Sequence, residues 1–178
     1  KIIMSYLLSL DNREHKLIEL FKKIKLNIKI ETLDIGDVIL YQKIDKQIKP
    51  IFIFERKSIS DLISSIKDGR YREQKARLKA SLLNGQVLKI YYIIEGTTES
   101  LTDKEKKLVF GSWISTQFRD GIEVIRLTNI IETIHFLCRL LDRTNKDGHL
   151  KLINKLTTNL TNNTITNNST TNLEETSN

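Results

Sequence analysis

Two rhythms of apolar residues run along this chain: compact hydrophobic runs, and stripes spaced three and four residues apart. The runs predict strands over residues 2–10, 28–33, 38–44, 50–56, 88–95 and 122–127. Ile51, Phe52, Ile53 and Phe54 follow one another without a polar break, which suits a strand covered on both faces. The stripes predict helices over residues 14–25, 58–66, 70–83, 102–118 and 130–143. The first helix sets Leu17, Ile18, Leu20, Phe21 and Ile24 on one apolar side. Two helices open on capping signatures, Ser58 with Asp61 and Thr102 with Glu105, each pair three residues apart. Residues 45–49 are expected to close a hairpin between the third and fourth strands. Helices alternating with buried strands predict an α/β fold, a central mixed β-sheet flanked by helices.

Composition adds an appendage and a partner. The 178 residues, 39% of them hydrophobic, suit one globular domain of roughly 150 residues and a tail. We expect the domain over residues 1–145, a short basic segment over 146–156, and a disordered Asn/Thr-rich tail over 157–178. The tail's only charges are Glu174 and Glu175, so removing them raises the net charge from +7 to +9. A body this basic favours a polyanion, because each cation set against a phosphate releases condensed counterions. Cys138 is the single cysteine, which excludes a disulfide framework or Cys-rich zinc site within this chain and fits a reducing compartment. No apolar run approaches the ~18 residues that span a bilayer, and the opening run lacks a cleavage site, so neither membrane insertion nor secretion is expected.

The candidate chemistry lies in Gly36-Asp37 and in Glu55-Arg56-Lys57 with Asp61. Side chains alternate along a strand, so Glu55 and Lys57 share a face and Arg56 points away. If the third and fourth strands are neighbours, Asp37 and Glu55 converge with Lys57 beside them. Adjacent carboxylates repel, and a divalent cation relieves this. Hard oxygen ligands suit Mg²⁺, or Mn²⁺, which acidifies water for attack on phosphorus. The Lys57 ammonium can orient that water or stabilise charge on the phosphate. An Asp…Glu-x-Lys pattern alone arises by chance in many chains.

The full string is more specific. It resembles the nuclease domain of the XPF/Mus81/Hef family of structure-specific endonucleases, whose signature is GD, a variable gap, ERK, three residues and D. Residues 55–63, read ERKSISDLI, are similar to the XPF version, and residues 68–78, read DGRYREQKARL, to the Mus81 version. Asp11 and Glu14 match the family's early acidic pair. The likeness spans residues 2–143. It implies a restriction-endonuclease-like fold and magnesium- or manganese-dependent cutting of 3′ flaps, splayed arms or junctions in double-stranded DNA. It implies that Asp37 and Glu55 ligate the metal, that Asp11 and Glu14 sit at its edge, and that Lys57 is catalytic. Arg56 would pair with Asp61 or reach a phosphate, and Asp61 would support the site or serve only as a helix cap. Family members dimerise, as homodimers or heterodimers, through this domain and usually a helix-hairpin-helix module after it. No tandem helix-hairpin-helix pattern follows Arg143. A nuclear location is expected, or a cytoplasmic replication site for a viral protein.

Next to the signature lies a basic helix. Arg70, Gln74 and Arg77 share one face, Arg72, Lys75 and Lys79 extend the charge, and Tyr71, Leu78 and Leu82 turn inward. We expect Arg70, Arg72, Gln74, Lys75 and Arg77 to meet DNA phosphates. His15, His135 and His149 lack ligand spacing. Trp113 and Phe118 are expected in the core, and Cys138 as a buried apolar residue. Two rival readings are a non-catalytic DNA-binding partner subunit of a heterodimeric nuclease and a junction resolvase of the same fold. The intact acids and lysine argue against the first.

Overall fold

In the computed structural model the chain opens with β1 (Met4–Asp11), α1 (His15–Lys23) and a short β2 (Lys29–Glu31). A hairpin follows, β3 (Val38–Ile44) and β4 (Gln47–Ser58), which runs straight into α2 (Ile59–Lys67) and α3 (Arg70–Leu83). Then come β5 (Lys89–Glu95), α4 (Asp103–Ile114), a π-helical turn (Ser115–Arg119), β6 (Glu123–Leu127) and α5 (Ile130–Lys146). The structure describes residues 4–146 other than 25, 27 and 86. Of the basic segment predicted over 146–156 only Lys146 is described, as the last residue of α5; its remainder, the tail predicted over 157–178, and His149 lie outside the described residues.

The strands form one sheet in the order β2-β1-β3-β4-β5-β6. β3 runs antiparallel to β1 and β4, and the other pairs are parallel. This is the mixed sheet that the sequence predicts. Its two faces carry separate cores. Phe52, Phe54 and Ile93 pack with Leu17 and Phe21 of α1 and Leu137 of α5. Ile53, Tyr92 and Ile94 pack with Leu62 of α2, Leu78 of α3 and Val109 of α4. Burying each large apolar side chain contributes about 1.5–3 kcal/mol. The end of β4 is therefore gripped from both sides, which holds its last residues where the chemistry needs them.

Local chemistry explains the joints. The Ser58 hydroxyl accepts the Asp61 N–H at 3.0 Å, capping α2. Thr102 and Glu105 form the expected reciprocal capping box. Gly69, at φ +82°, makes the left-handed bend between α2 and α3.

Three expectations are corrected. The β3–β4 hairpin closes at Asp45-Lys46, not over residues 45–49, and Gln47 pairs with Ile44. Backbone pairing continues there although the side chains are polar and exposed, so the apolar pattern stops before the strand does. Ile24 is 51% exposed, because α1 ends one residue earlier. Phe118 is 78% exposed rather than in the core. The π-helical turn takes an extra residue, which shifts the helical phase. Thr116 turns inward to bond the Tyr71 hydroxyl, and Phe118 turns out. Trp113 is half-buried, stacked on Phe110 with the Arg126 guanidinium 5.0 Å over its ring. Cys138 is also half-buried, at the margin of the α1–α5 core.

Candidate active site

Asp37 stands at the mouth of β3, one residue before its first pair with β4. Gly36 makes this possible. Its φ is +73°, and a Cβ there would lie 2.4 Å from the Ile53 side chain. Asp37 N–H donates to the Phe54 carbonyl at 2.9 Å, and the Asp37 carbonyl accepts from Asp11 N–H at 2.9 Å. Its carboxylate accepts the Arg56 backbone N–H at 2.6 Å. The residue is thus pinned between β1 and β4, beside Glu55.

Glu55 is only 7% exposed, and Lys57 follows it on the same face with its ammonium 3.7 Å from the Glu55 carboxylate. The same ammonium donates to the Gln74 side-chain oxygen at 3.0 Å, tying the site to α3. Asp37, Glu55, Gln74 and Arg77 line one polar cleft of about 290 Å³. Burial and the neighbouring Asp37 charge push the Glu55 carboxyl up to about 7. Burial likewise raises Asp37, partly offset by the Arg56 N–H. Two carboxyls that resist ionising together are short of positive charge. An oxygen-only pair of this kind fits a hard divalent cation, which supplies the missing charge.

The other predicted ligands are turned to different partners. Asp11 is fully buried, and its oxygens accept from the Arg13 backbone and guanidinium at 2.6–3.0 Å and from Leu33 N–H at 2.8 Å. Those bonds from Arg13, with the others, hold its carboxyl down near 2. Glu14 pairs with the Arg56 guanidinium, and burial raises its carboxyl. Among the described residues no three His, Cys, Asp or Glu side chains converge as a ready metal cage. Asp37 and Glu55 are the pair that the fold brings together.

Arg56 points to the opposite face, as strand alternation requires, and pairs with Glu95 and Glu14 rather than with Asp61, although both Arg56 and Asp61 line one polar pocket. Arg56 donates to Glu95 at 2.8–3.0 Å and to Glu14. Asp61 accepts the Ser58 hydroxyl at 2.6 Å and caps α2; it also lines a small polar pocket with Lys57 and Arg70. On α3, Arg70 is exposed and bonded to Asp68, Arg72 is exposed beside α4, and Arg77 faces the acidic cleft. Lys75 is the correction here. It is 7% exposed, paired with Asp120 at 2.7 Å and set over the Tyr71 ring. Its stem crosses the apolar side of α3, so its charge is neutralised inside the protein.

Sequence reasoning passed over Arg13 and Glu95. Arg13 clamps Asp11 and lines the cleft, and its signal was its place between the two early acids. Glu95 closes β5 in register with Ser58, so an acid at that strand end was the available clue.

The model of the ERCC4 domain matches residues 10–140. The chain belongs to the ERCC4-domain family. This is the family of the XPF and Mus81 nucleases, and the six-stranded sheet with its helices is the restriction-endonuclease-like fold. The ERCC4 domain here is 39% identical over 107 residues to the crossover junction endonuclease MUS81 of Gibberella zeae, covering 57% of this chain and 18% of that protein. It is 34% identical over 110 residues to MUS81 of Oryza sativa subsp. japonica, covering 60% and 16%. The chain thus spans less than a fifth of these relatives' length. XPF from Aeropyrum pernix superposes with a TM-score of 0.59 at 21% identity, over 83% of this chain and 68% of that one, a likeness of fold.

Proposed function

We propose that this chain is the nuclease domain of a structure-specific endonuclease that hydrolyses phosphodiesters in branched DNA. The observation that carries the reading is that Asp37 and Glu55 line one polar cleft bordered by Arg77, with the Lys57 ammonium 3.7 Å from the Glu55 carboxylate. The relatives named above are crossover junction endonucleases, and an XPF of the same fold is known in complex with DNA.

Asp37 and Glu55 would hold magnesium or manganese. When bound, that ion neutralises the carboxylates and acidifies water. Lys57 places an ammonium at the rim, where it orients the attacking water or stabilises the charge that develops on the phosphate. Gln74 holds Lys57 in that place. Arg77, with Arg70 and Arg72 on the same helix, meets the DNA backbone, and each phosphate contact positions the strand without reading sequence. Asp11 and Glu14 act on the site as supports, one bracing the β1 end and the other bracing Arg56. Arg56 acts through its backbone N–H on Asp37 and through its guanidinium on the strand end. Asp61 fixes the start of α2.

The partner is a second copy or a family relative. Phe110, Ile114 and Phe118 are exposed on α4 and the π-helical turn, away from the cleft, and give an apolar surface for dimer formation. A role in DNA repair and recombination fits a nuclear protein.

Cleavage of labelled linear duplex, 3′-flap, splayed-arm and four-way substrates with Mg²⁺ tests this. Asp37→Ala and Lys57→Ala should bind DNA as the parent does and cut at least ~100-fold more slowly. Equal cutting by parent and variants would end the hydrolytic reading.

A further inference from the structure

We infer that Glu95, outside the signature, is a positioning residue for the hydrolytic site, acting through Arg56 on the orientation of Asp37. The inference rests on the proposed hydrolytic reading of the Asp37–Glu55 cleft.

The Arg56 guanidinium has two carboxylate neighbours, and they grip it differently. Glu95 takes Nε and Nη2 together: Oε1 accepts from both at 3.0 and 2.8 Å, and Oε2 accepts from Nη2 at 2.8 Å. This is the two-pronged geometry that fixes a guanidinium plane. Glu14 holds only Nη1. Glu95 is itself held, because the Thr133 hydroxyl of α5 donates to its Oε1. Thr133 is fully buried, and the Arg56 and Glu95 side chains are 10% and 11% exposed. A guanidinium so placed cannot swing without leaving a buried charge unpaired.

Two strands and two helices meet at this grip. Arg56 sits on β4, Glu95 ends β5, Glu14 precedes α1, and Thr133 lies in the first turn of α5. The other end of the same residue faces the cleft. The Arg56 backbone N–H donates to Asp37 Oδ2 at 2.6 Å, and its chain neighbours are Glu55 and Lys57. Locking the Arg56 side chain on one face of β4 therefore sets the peptide that orients an acid on the other. Glu95 stands where an outer partner of a metal ligand stands, although it touches neither the ligand nor the cleft. Loss of such partners lowers metal affinity by about 10–100-fold.

Glu95→Gln keeps shape and one acceptor oxygen but removes the charge. The measurement is Mn²⁺ binding to the DNA-free protein, followed by electron paramagnetic resonance, alongside cleavage as a function of Mg²⁺ and DNA affinity in Ca²⁺. We expect Mn²⁺ affinity to fall about tenfold and the half-saturating Mg²⁺ concentration to rise to match, with the cutting rate at saturating metal recovered to within about threefold. DNA affinity should stay within about twofold. Glu95→Asp should restore part of the Mn²⁺ affinity. A double-mutant cycle with Arg56→Lys should be strongly non-additive in Mn²⁺ affinity, since both changes break one link. Unchanged Mn²⁺ affinity in a folded Glu95→Gln would overturn the inference, as would additive losses in the cycle. Because Mn²⁺ binding is read without DNA, failure of the cleavage reading and failure of the positioning reading give separate signatures.

Discussion

Two charged clusters lie back to back across the end of β4, and they are built on opposite rules. On the α1–α5 side, all three nitrogens of one guanidinium donate to two carboxylates, and a hydroxyl donates to one of those carboxylates in turn. On the α3 side, two carboxyls have a single ammonium near them, 3.7 Å from Glu55, and burial raises both. The first cluster is arranged for rigidity. The second is left short of positive charge, which lowers stability and fits the cation proposed for it. One strand supplies both because consecutive residues face opposite ways. Rigidity and reactivity are thus separated by the width of a backbone.

The largest effect should come from breaking the satisfied side. Arg56→Ala leaves Glu14 and Glu95 buried without their cation and should lower unfolding stability by about 3–5 kcal/mol, read by denaturant titration. A loss below about 1 kcal/mol would show that this cluster is not the rigid one. The unsatisfied side should respond to pH. The Glu55 carboxyl is raised in the fold from its ordinary 4.5 to about 7, so the unfolded chain releases this proton first. Metal-free stability should therefore fall as pH rises from about 4.5 to 7, by up to about 3 kcal/mol, and then level off. Glu55→Gln should flatten that slope and be the more stable protein at pH 8, and Mg²⁺ should narrow the gap. A parent protein whose stability rises through this window would contradict the assignment. The smallest effect concerns the rim. Arg77→Glu should weaken DNA binding and reduce the slope of log affinity against log salt by about one. An unaltered slope would remove α3 from the DNA surface.

Much of this was legible in the residues. The apolar run at 51–54 and the spacing of Gly36-Asp37 from Glu55-Arg56-Lys57 bring the three candidate side chains to one end of the hairpin, because strand alternation is a local rule and β3–β4 is a hairpin. The capping pairs Ser58/Asp61 and Thr102/Glu105 are equally local. What escaped depends on partners distant in sequence. Lys75 reads as surface charge until Asp120 arrives beneath it. Asp11 reads as a ligand until Leu33 N–H and Arg13 occupy its oxygens. Arg56 and Glu95 are joined only by the parallel pairing of β4 with β5, which no local pattern encodes. Phe118 escaped for another reason, since helical spacing assumes a constant pitch and the chain departs from it at Ser115–Arg119.

That departure has a consequence for descent. A π-helical turn differs from a regular one by a single extra residue, the smallest change of length a gene can make without losing its frame. Removing one residue from this stretch would wind the aromatic ring of Phe118 back toward the body and unseat Thr116 from Tyr71. The apolar exposure of this flank, and with it the dimer surface proposed above, can therefore be changed by a single-residue step in a segment that does not line the acidic cleft.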